Sequence, residues 1–137
     1  MFVYLFSFSF GGFTGLILAN CIIDTLLHDP YFVIGHSHHV LSLGAVYTIS
    51  SSIYNYFIML SSYYYYNDFI GRLHFFISFI SSNVIFFSMH SQGILGFPRR
   101  IFDYGIIYFK FNRFNSFALI GVSLSIILFI GSFIYRF

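Results

Sequence analysis

Most of the side chains that could do chemistry in this sequence lie in one short segment, HDPYFVIGHSHHVLS, at residues 28–42. The segment holds four of the six histidines and one of the four acidic residues of the chain. Neutral imidazole binds iron, copper and zinc. A single histidine in an apolar segment is usually a hydrogen-bonded packing residue, but His36, His38 and His39 stand together, and removing each from water costs free energy. The cluster therefore predicts a metal or cofactor site.

The elements that position this cluster are predicted to be membrane helices. Of the 137 residues, 58% are hydrophobic, 25% are aromatic and only 7% are charged. Soluble domains carry roughly a quarter charged residues, so this chain could not cover its surface in water. The net charge of +2 comes from few groups and gives no reason to expect nucleic acid as a partner. The lone cysteine, Cys21, excludes an internal disulfide.

Four apolar stretches match or exceed the roughly 20 residues that a helix needs to cross the hydrocarbon layer. We therefore expect an all-α integral membrane fold in a single domain, with the tyrosines at 63–66 at headgroup level. Four crossings put the loop with His28 and Asp29 on the same side as the loop with Arg99 and Arg100, and both termini on the other side. The predicted spans are about 2–23, 31–60, 69–95 and 114–135.

The spacing of His36 and His38 decides what kind of site their helix could form. In lipid, an apolar segment of roughly 30 residues must be helical, because every backbone polar group needs an internal partner. On a helix, positions i and i+2 point about 200° apart. The two side chains therefore cannot bind one ion. They could serve two centres on opposite sides of the helix, and histidine is a usual axial ligand of haem iron.

Two haems astride one helix would need partners for their propionates, and the pair Arg99 and Arg100 is a candidate. Arginine suits carboxylates because its donors form a planar fork. The predicted topology puts the pair on the same side as Asp29, which lies about 10 Å of helix from His36. Topogenic charge at a span end is the alternative explanation of the two arginines, and the residues alone leave both open.

Four segments of the sequence, in their order along the chain and in their spacing, match a known family: GGFTGLILAN, LHDPYFVIGHSHHVLSLGAV, RLHFFISF and FFSMHSQGILGFPRRIFDY. They resemble the last third of the largest catalytic subunit of the haem–copper oxidases, the family of mitochondrial cytochrome c oxidase. The resemblance implies that the four spans are helices nine to twelve of a twelve-helix subunit. It further implies reduction of dioxygen to water with electrons from cytochrome c, coupled to proton pumping. The implied location is the mitochondrial inner membrane, with both termini on the matrix side.

The resemblance assigns roles to two histidines of the second span. His36 matches the axial ligand of high-spin haem a3, which binds dioxygen beside copper B, and His38 matches one of the two ligands of low-spin haem a. Ser37 stands where an aromatic residue is usual, and His39 stands where tyrosine is usual. Because only His36 and His38 keep the family spacing, His39 is interpreted as a hydrogen-bonded packing residue.

The resemblance also assigns residues near the ends of the spans. His28 and Asp29 match ligands of a magnesium ion that the family shares with a carboxylate of subunit II. Arg99 and Arg100 match the pair that holds the haem propionates. Asp24 falls on a position linked to proton or water pathways near the cofactors, and it is grouped with the cofactor-binding residues.

Three further positions depart from the family or stay open. His74 also falls on a pathway position, with a satisfied interfacial histidine as the equal alternative. Pro30 replaces a residue that is usually threonine, and it is expected to be the first residue of the second helix. Ser88 and Met89 replace a Pro-Gln pair before His90, which leaves His90 without an assigned role.

The charge pattern opposes the implied orientation. The loop at 96–113 holds four of the six basic residues of the chain, and the positive-inside rule would put it on the matrix side. If two of the four neutralise propionates, the remaining bias is too small to decide. The expected orientation therefore follows the resemblance.

Several groups of the family site lie upstream in its members: the copper B ligands, the second haem a ligand and the acidic and lysine groups of the proton channels. Because this chain begins with Met in a span, it is expected to be one product of a split subunit I gene that needs an N-terminal partner fragment. Subunits II and III, cytochrome c through subunit II, and membrane lipid are the other expected partners. The alternatives are a quinol-oxidising relative and a haemless structural or assembly subunit of a respiratory complex.

Overall fold

The computed structural model describes residues 2–60 and 68–134 as helices joined by short connections, with no strand in that part of the chain. The predicted tyrosine belt at 63–66 lies outside the described residues. The prediction of an all-α fold is confirmed for the described part. The elements are α1 (Phe2–Leu18), α2 (Cys21–Leu27), α3 (Tyr31–Ser37), the π-helical segment π1 (His38–Ser42), α4 (Leu43–Leu60), α5 (Asp68–Ile94) and α6 (Ile106–Ile134).

Two of the described helices, α5 and α6, are long and apolar enough by themselves to cross a membrane. At 1.5 Å per residue they are roughly 40 and 44 Å long, against a hydrocarbon layer of about 30 Å. A third crossing is added if α1 and α2, which meet at an angle of 102°, form one broken span. These helices support an integral membrane fold, while the full set of four spans stays a prediction.

The first predicted span, 2–23, runs past a break in the structure. Helix α1 ends at Leu18, and α2 begins at Cys21 in a new direction. Asn20 starts α2 as its N-cap, because its side-chain oxygen accepts a hydrogen bond from the backbone N–H of Ile22 at 3.2 Å. The residues on both sides of this break are apolar, so a hydropathy window alone could not locate it.

The second predicted span, 31–60, is one continuous helical path through α3, π1 and α4. The path begins at Tyr31, where the span was predicted to start, and Pro30 is its N-cap with extended backbone rather than its first helical residue. A π-helical turn widens the path at His38 to Ser42. Single π turns within α-helices are rare and occur frequently at functional sites.

Small residues let the helices of this bundle approach closely. A Cβ on Gly93 of α5 would fall on the backbone of Phe32 in α3, and one on Gly11 of α1 would fall on the side chain of Val40 in π1. Close backbone approach at small residues is a usual packing mode of membrane helices. The helix from residue 31 to 60 is thereby held against both α1 and α5.

Helix α6 begins at Ile106, eight residues before the predicted start of the fourth span at 114. Lys110 and Arg113 therefore lie on a helix rather than in a loop. A membrane helix can continue beyond the hydrocarbon layer, where charged residues are tolerated, so an apolar window underestimates its length.

Most large apolar side chains of the described residues are exposed. The buried apolar cluster of Leu43, Ile85 and Phe86 is small, whereas apolar residues along α1 and α6 are widely exposed. Such a distribution is typical of a protein whose surroundings are lipid or other apolar helices.

Candidate functional site

His36 lies in the last turn of α3, and its ring packs against α1. Its Nδ1 atom is 2.8 Å from the hydroxyl oxygen of Thr14, and that hydroxyl also lies 2.8 Å from the carbonyl oxygen of Gly11. Because this carbonyl can take the single hydroxyl proton of Thr14, the hydroxyl oxygen is available to accept a bond from Nδ1 of His36. With the imidazole proton on Nδ1, the lone pair of Nε2 is left for a ligand.

Helix α1 also makes room for this imidazole. A Cβ on Gly15 would lie 3.0 Å from Cε1 of His36 and 3.6 Å from Nε2. Thr14 and Gly15 are adjacent in the sequence, so one turn of α1 supplies both the acceptor for Nδ1 and the space for the ring. The position of His36 thus depends on a helix that the histidine-rich segment does not contain.

His38 begins π1, and its ring is bonded within its own helix. Its Nδ1 atom is 2.8 Å from the carbonyl oxygen of Ile34, which can only accept, so Nδ1 carries the proton. The ring is exposed and stacks on Phe86 of α5 at a centroid distance of 6.2 Å. His38 therefore presents a free Nε2 lone pair, as His36 does.

The two histidines face different neighbours. His36 contacts α1, and His38 lies beside α5. Among the described residues no group of three or more histidine, cysteine, aspartate or glutamate side chains could hold a metal ion together. Each histidine can therefore supply one ligand to its own centre. That arrangement suits a metal whose other donors come with it, as a porphyrin brings four nitrogens to iron.

The two loops with His28 and Arg99 meet, as the predicted topology required. Pro30 and Pro98 form an isolated antiparallel bridge, and the backbone N–H of Tyr31 donates to the carbonyl of Phe97 at 2.9 Å. The placement of both loops on one side is therefore confirmed. This contact brings the arginine pair to the start of the helix that carries His36 and His38.

Within this junction His28 and Asp29 point at each other. Nδ1 of His28 donates to the carbonyl of Asp24 at 2.9 Å, and Nε2 lies 3.1 Å from a carboxylate oxygen of Asp29. Both side chains are exposed, and a cation bound at this point would find a nitrogen ligand and an oxygen ligand close together. Asp24, half-buried on α2, takes part through its backbone carbonyl.

The two arginines of the junction differ in their surroundings. Arg99 donates from Nε to the backbone carbonyl of Asp29 at 3.0 Å, and its guanidinium lies 3.7 Å from the Asp29 carboxylate. Arg100 is exposed and has a φ of 58°. The left-handed conformation costs a non-glycine residue roughly 1–2 kcal/mol, and such strain often accompanies functional positions.

His74 lies far from this junction and has its own partners. Its Nδ1 atom is 3.1 Å from the hydroxyl of Tyr54, and its ring packs on Phe129 at 5.2 Å. It lines a cavity of about 740 Å³ together with hydroxyl groups of α4 and α5, including Thr48 and Ser78. The hydrogen bond to Tyr54 and the packing on Phe129 fit a satisfied interfacial histidine.

Two parts of the site were not anticipated from the sequence. Thr14 had no sequence signal, because a threonine in an apolar helix usually bonds only to its own backbone. His39 is fully buried, which agrees with a packing residue, but neither of its ring nitrogens has a hydrogen-bond partner among the described residues. The predicted hydrogen bond of His39 is therefore not found there.

Comparison with known proteins finds a family that matches nearly the whole chain. The family model described as "Cytochrome C and Quinol oxidase polypeptide I" matches residues 1–130. Cytochrome c oxidase subunit 1 of Pecten maximus is 41% identical over 127 residues, covering 93% of this chain and 26% of the relative. The Eremothecium gossypii protein of that name is 40% identical, with 92% and 23% covered, and that of Albinaria turrita is 35% identical, with 93% and 65% covered. The chain thus spans about a quarter of the length of the first two relatives.

Proposed function

The chain belongs to the cytochrome c and quinol oxidase polypeptide I family, and from this membership we propose that it forms the C-terminal part of the catalytic core of a cytochrome c oxidase, respiratory complex IV. The activity is the reduction of dioxygen to water with electrons from cytochrome c, coupled to proton pumping in the mitochondrial inner membrane. One observation carries the proposal: in both His36 and His38 a hydrogen bond occupies Nδ1 and leaves Nε2 for a ligand, and the two rings face different helices.

The residues present fit two haem groups. Haem a and haem a3, when bound, supply the iron that accepts electrons and binds dioxygen. His36 would hold haem a3 and be the catalytic residue of this chain, and His38 would be one of the two residues that hold haem a. Thr14 keeps the Nδ1 proton of His36 in place, which orients the ring and raises the basicity of Nε2.

The junction at the start of the ligand helix fits the polar ends of these groups. Arg99 and Arg100 would bind haem propionates, since guanidinium forks match carboxylates. His28 and Asp29 would supply two ligands of a magnesium ion, which prefers oxygen ligands and keeps several waters. A carboxylate of subunit II would complete that site. Asp24 supports it by holding the Nδ1 proton of His28.

The remainder of the site comes from outside the matched region. The chain covers 26% and 23% of two relatives. We propose that the copper B ligands and the second haem a ligand belong to the other part of the subunit. Subunits II and III, lipid, and cytochrome c docking on subunit II are the further proposed partners. We propose that both termini lie on the matrix side and the arginine junction on the intermembrane side.

A quinol-oxidising relative is the second candidate, because the matching family includes quinol oxidases by its own description. The residues of this chain do not discriminate between the two electron donors. Purification of the intact complex and assay with reduced cytochrome c against a quinol would separate the two.

Spectroscopy of that complex tests the proposal itself. The expected result is one high-spin and one low-spin haem for each copy of this chain, with porphyrin density on both sides of the helix from residue 31 to 60. A complex that contains this chain and has no haem absorbance would refute the proposal and favour a structural or assembly subunit.

A further inference from the structure

A pair of buried imidazoles lies behind the ligand helix, and neither is a proposed haem ligand. His39 of π1 is 0% exposed and His90 of α5 is 6% exposed. Their ring centroids are 5.9 Å apart, with the ring planes at 71°. Both residues lie in the interior formed by this chain alone.

The hydrogen-bonding capacity of the pair is largely unused. His90 donates from Nδ1 to the carbonyl of Phe86 at 2.7 Å, so its Nε2 carries a lone pair. Neutral His39 has one N–H donor and one lone pair. Within the described chain, Nε2 of His90 and both ring nitrogens of His39 are buried without a hydrogen-bond partner. Buried polar atoms in native proteins nearly always have such a partner, in protein or ordered water.

The two rings are complementary but too far apart to bond directly. A ring nitrogen lies about 1.15 Å from its ring centre, so the nearest nitrogens of the two rings are at least about 3.6 Å apart, beyond the usual 3.2 Å limit for a nitrogen hydrogen bond. The ring of His90 lies in the space left by the missing side chain of Gly35, where a Cβ would be 3.0 Å from it. An additional group is therefore needed between the rings.

The surroundings of the two rings favour a neutral bridging group over a charged one. The acidic residues of the chain all lie at helix ends or in loops, so none is placed to balance a charge between the rings. An unpaired charge in such a cage would carry a large desolvation cost. The rings that enclose the pair are Phe10, Phe32, Phe86 and Phe87, with centroid distances to His39 or His90 between 5.1 and 6.3 Å.

We propose that His39 and His90 bind one buried water molecule, which accepts the N–H of His39 and donates to Nε2 of His90. A buried water usually has two to four polar partners, which this pair supplies. The water ties π1 to α5 directly beside His38, so His39 and His90 are positioning residues for the ligand helix. This positioning role rests on the proposed function, whereas the water site does not.

A density map of the intact complex, at a resolution that shows ordered water, tests the site directly. The expected result is a single peak within hydrogen-bonding distance of both rings. A direct contact between the ring nitrogens would overturn the proposal, as would unfilled space between the rings. A metal ion would also overturn it, and metal analysis would reveal such an ion as an equivalent that is lost in His39→Phe. The same map shows whether porphyrins flank the helix, so failure of the water site and failure of the proposed function are distinguishable.

Two variants at one position test the positioning role. His39→Tyr and His39→Phe differ by one oxygen atom, and a phenol hydroxyl can replace the water and donate to His90. We expect His39→Phe to lose the low-spin haem signal on heating about tenfold faster than the wild type, and His39→Tyr to stay close to it. The low-spin electron paramagnetic resonance signal should shift in His39→Phe only.

A double-mutant cycle, in which each His39 variant is combined with His90→Leu, completes this test. Without the acceptor on His90, the difference between the tyrosine and phenylalanine variants should vanish. If the two variants behave alike in the wild-type background, or if their difference persists with His90→Leu, the positioning role is wrong.

Discussion

Two histidines in different parts of the bundle make superficially similar contacts. At the junction of α1 with α3, Nδ1 of His36 meets the hydroxyl of Thr14 at 2.8 Å. At the junction of α4 with α5, Nδ1 of His74 meets the hydroxyl of Tyr54 at 3.1 Å. The difference lies in the proton of the hydroxyl. Thr14 has an acceptor for its proton in the carbonyl of Gly11, so its oxygen can accept from His36, whereas the contact of His74 with Tyr54 by itself fixes neither role.

That difference separates a candidate ligand from a packing residue. A committed hydroxyl selects one tautomer and leaves Nε2 of His36 with a lone pair, which a metal needs. His74 is instead buried against Phe129, and its contacts need no ligand. A hydroxyl neighbour alone is therefore weak support for ligand duty in a membrane protein.

The largest expected effect comes from removing the proposed ligands. His36→Ala should abolish the high-spin haem signal and leave the low-spin signal largely intact, and His38→Ala should do the reverse, because each residue serves its own centre. His74→Ala is the matched control and should keep both signals. Optical spectra of the purified complexes check this. A His36→Ala complex with its high-spin haem unchanged would rule out the assignment.

Removing the acceptor for His36 should have the next largest effect. Thr14→Val keeps the shape of the side chain but frees the Nδ1 proton, and losses of this kind typically weaken metal binding by about 10- to 100-fold. Thr14→Ser retains the hydroxyl and should behave like the wild type. High-spin haem retention and the iron–histidine stretching band measure the effect. Equal behaviour of the valine and serine variants would argue against a role for this bond.

A smaller effect is expected from crowding the same imidazole. Gly15→Ala puts a methyl group 3.0 Å from Cε1 of His36, which is tighter than ordinary contact, so the ring has to shift by a few tenths of an ångström. The fraction of high-spin haem should fall about two- to fivefold. Gly12→Ala is the control, since nothing in the described chain lies within 4 Å of a Cβ there. The comparison fails if both variants lose haem equally.

The smallest effect is expected at the contrasting junction. Tyr54→Phe removes one hydrogen bond to His74, so stability should fall by about 1 kcal/mol while both haem spectra stay unchanged. Thermal unfolding of the complex, followed together with the haem bands, measures both quantities. A change in either haem spectrum would show that His74 has more than a packing role.

The sequence predicted several features of the fold because lipid leaves few choices. A long apolar segment has to be helical, so an all-α membrane fold followed from composition and run length. The contact of the two loops followed from counting crossings, and the bridge between Pro30 and Pro98 confirms it. The predicted ends of the spans were less accurate: α1 ends at Leu18 and α6 begins at Ile106. Hydropathy reports the apolar part of a helix and not where its backbone turns or stops.

The sequence by itself determined which side chains could act as ligands and that they must point in different directions. Successive residues of a helix are rotated by about 100° about its axis, so imidazoles at positions i and i+2 cannot lie on one face. The tertiary structure decided which nitrogens are free to bind. Thr14 lies 22 positions from His36 in the chain, and His90 is still further from His39, so no local pattern could reveal their pairing. Those pairings depend on how closely α1 and α5 approach the ligand helix, and that approach is set by glycines and side-chain volumes in three helices at once.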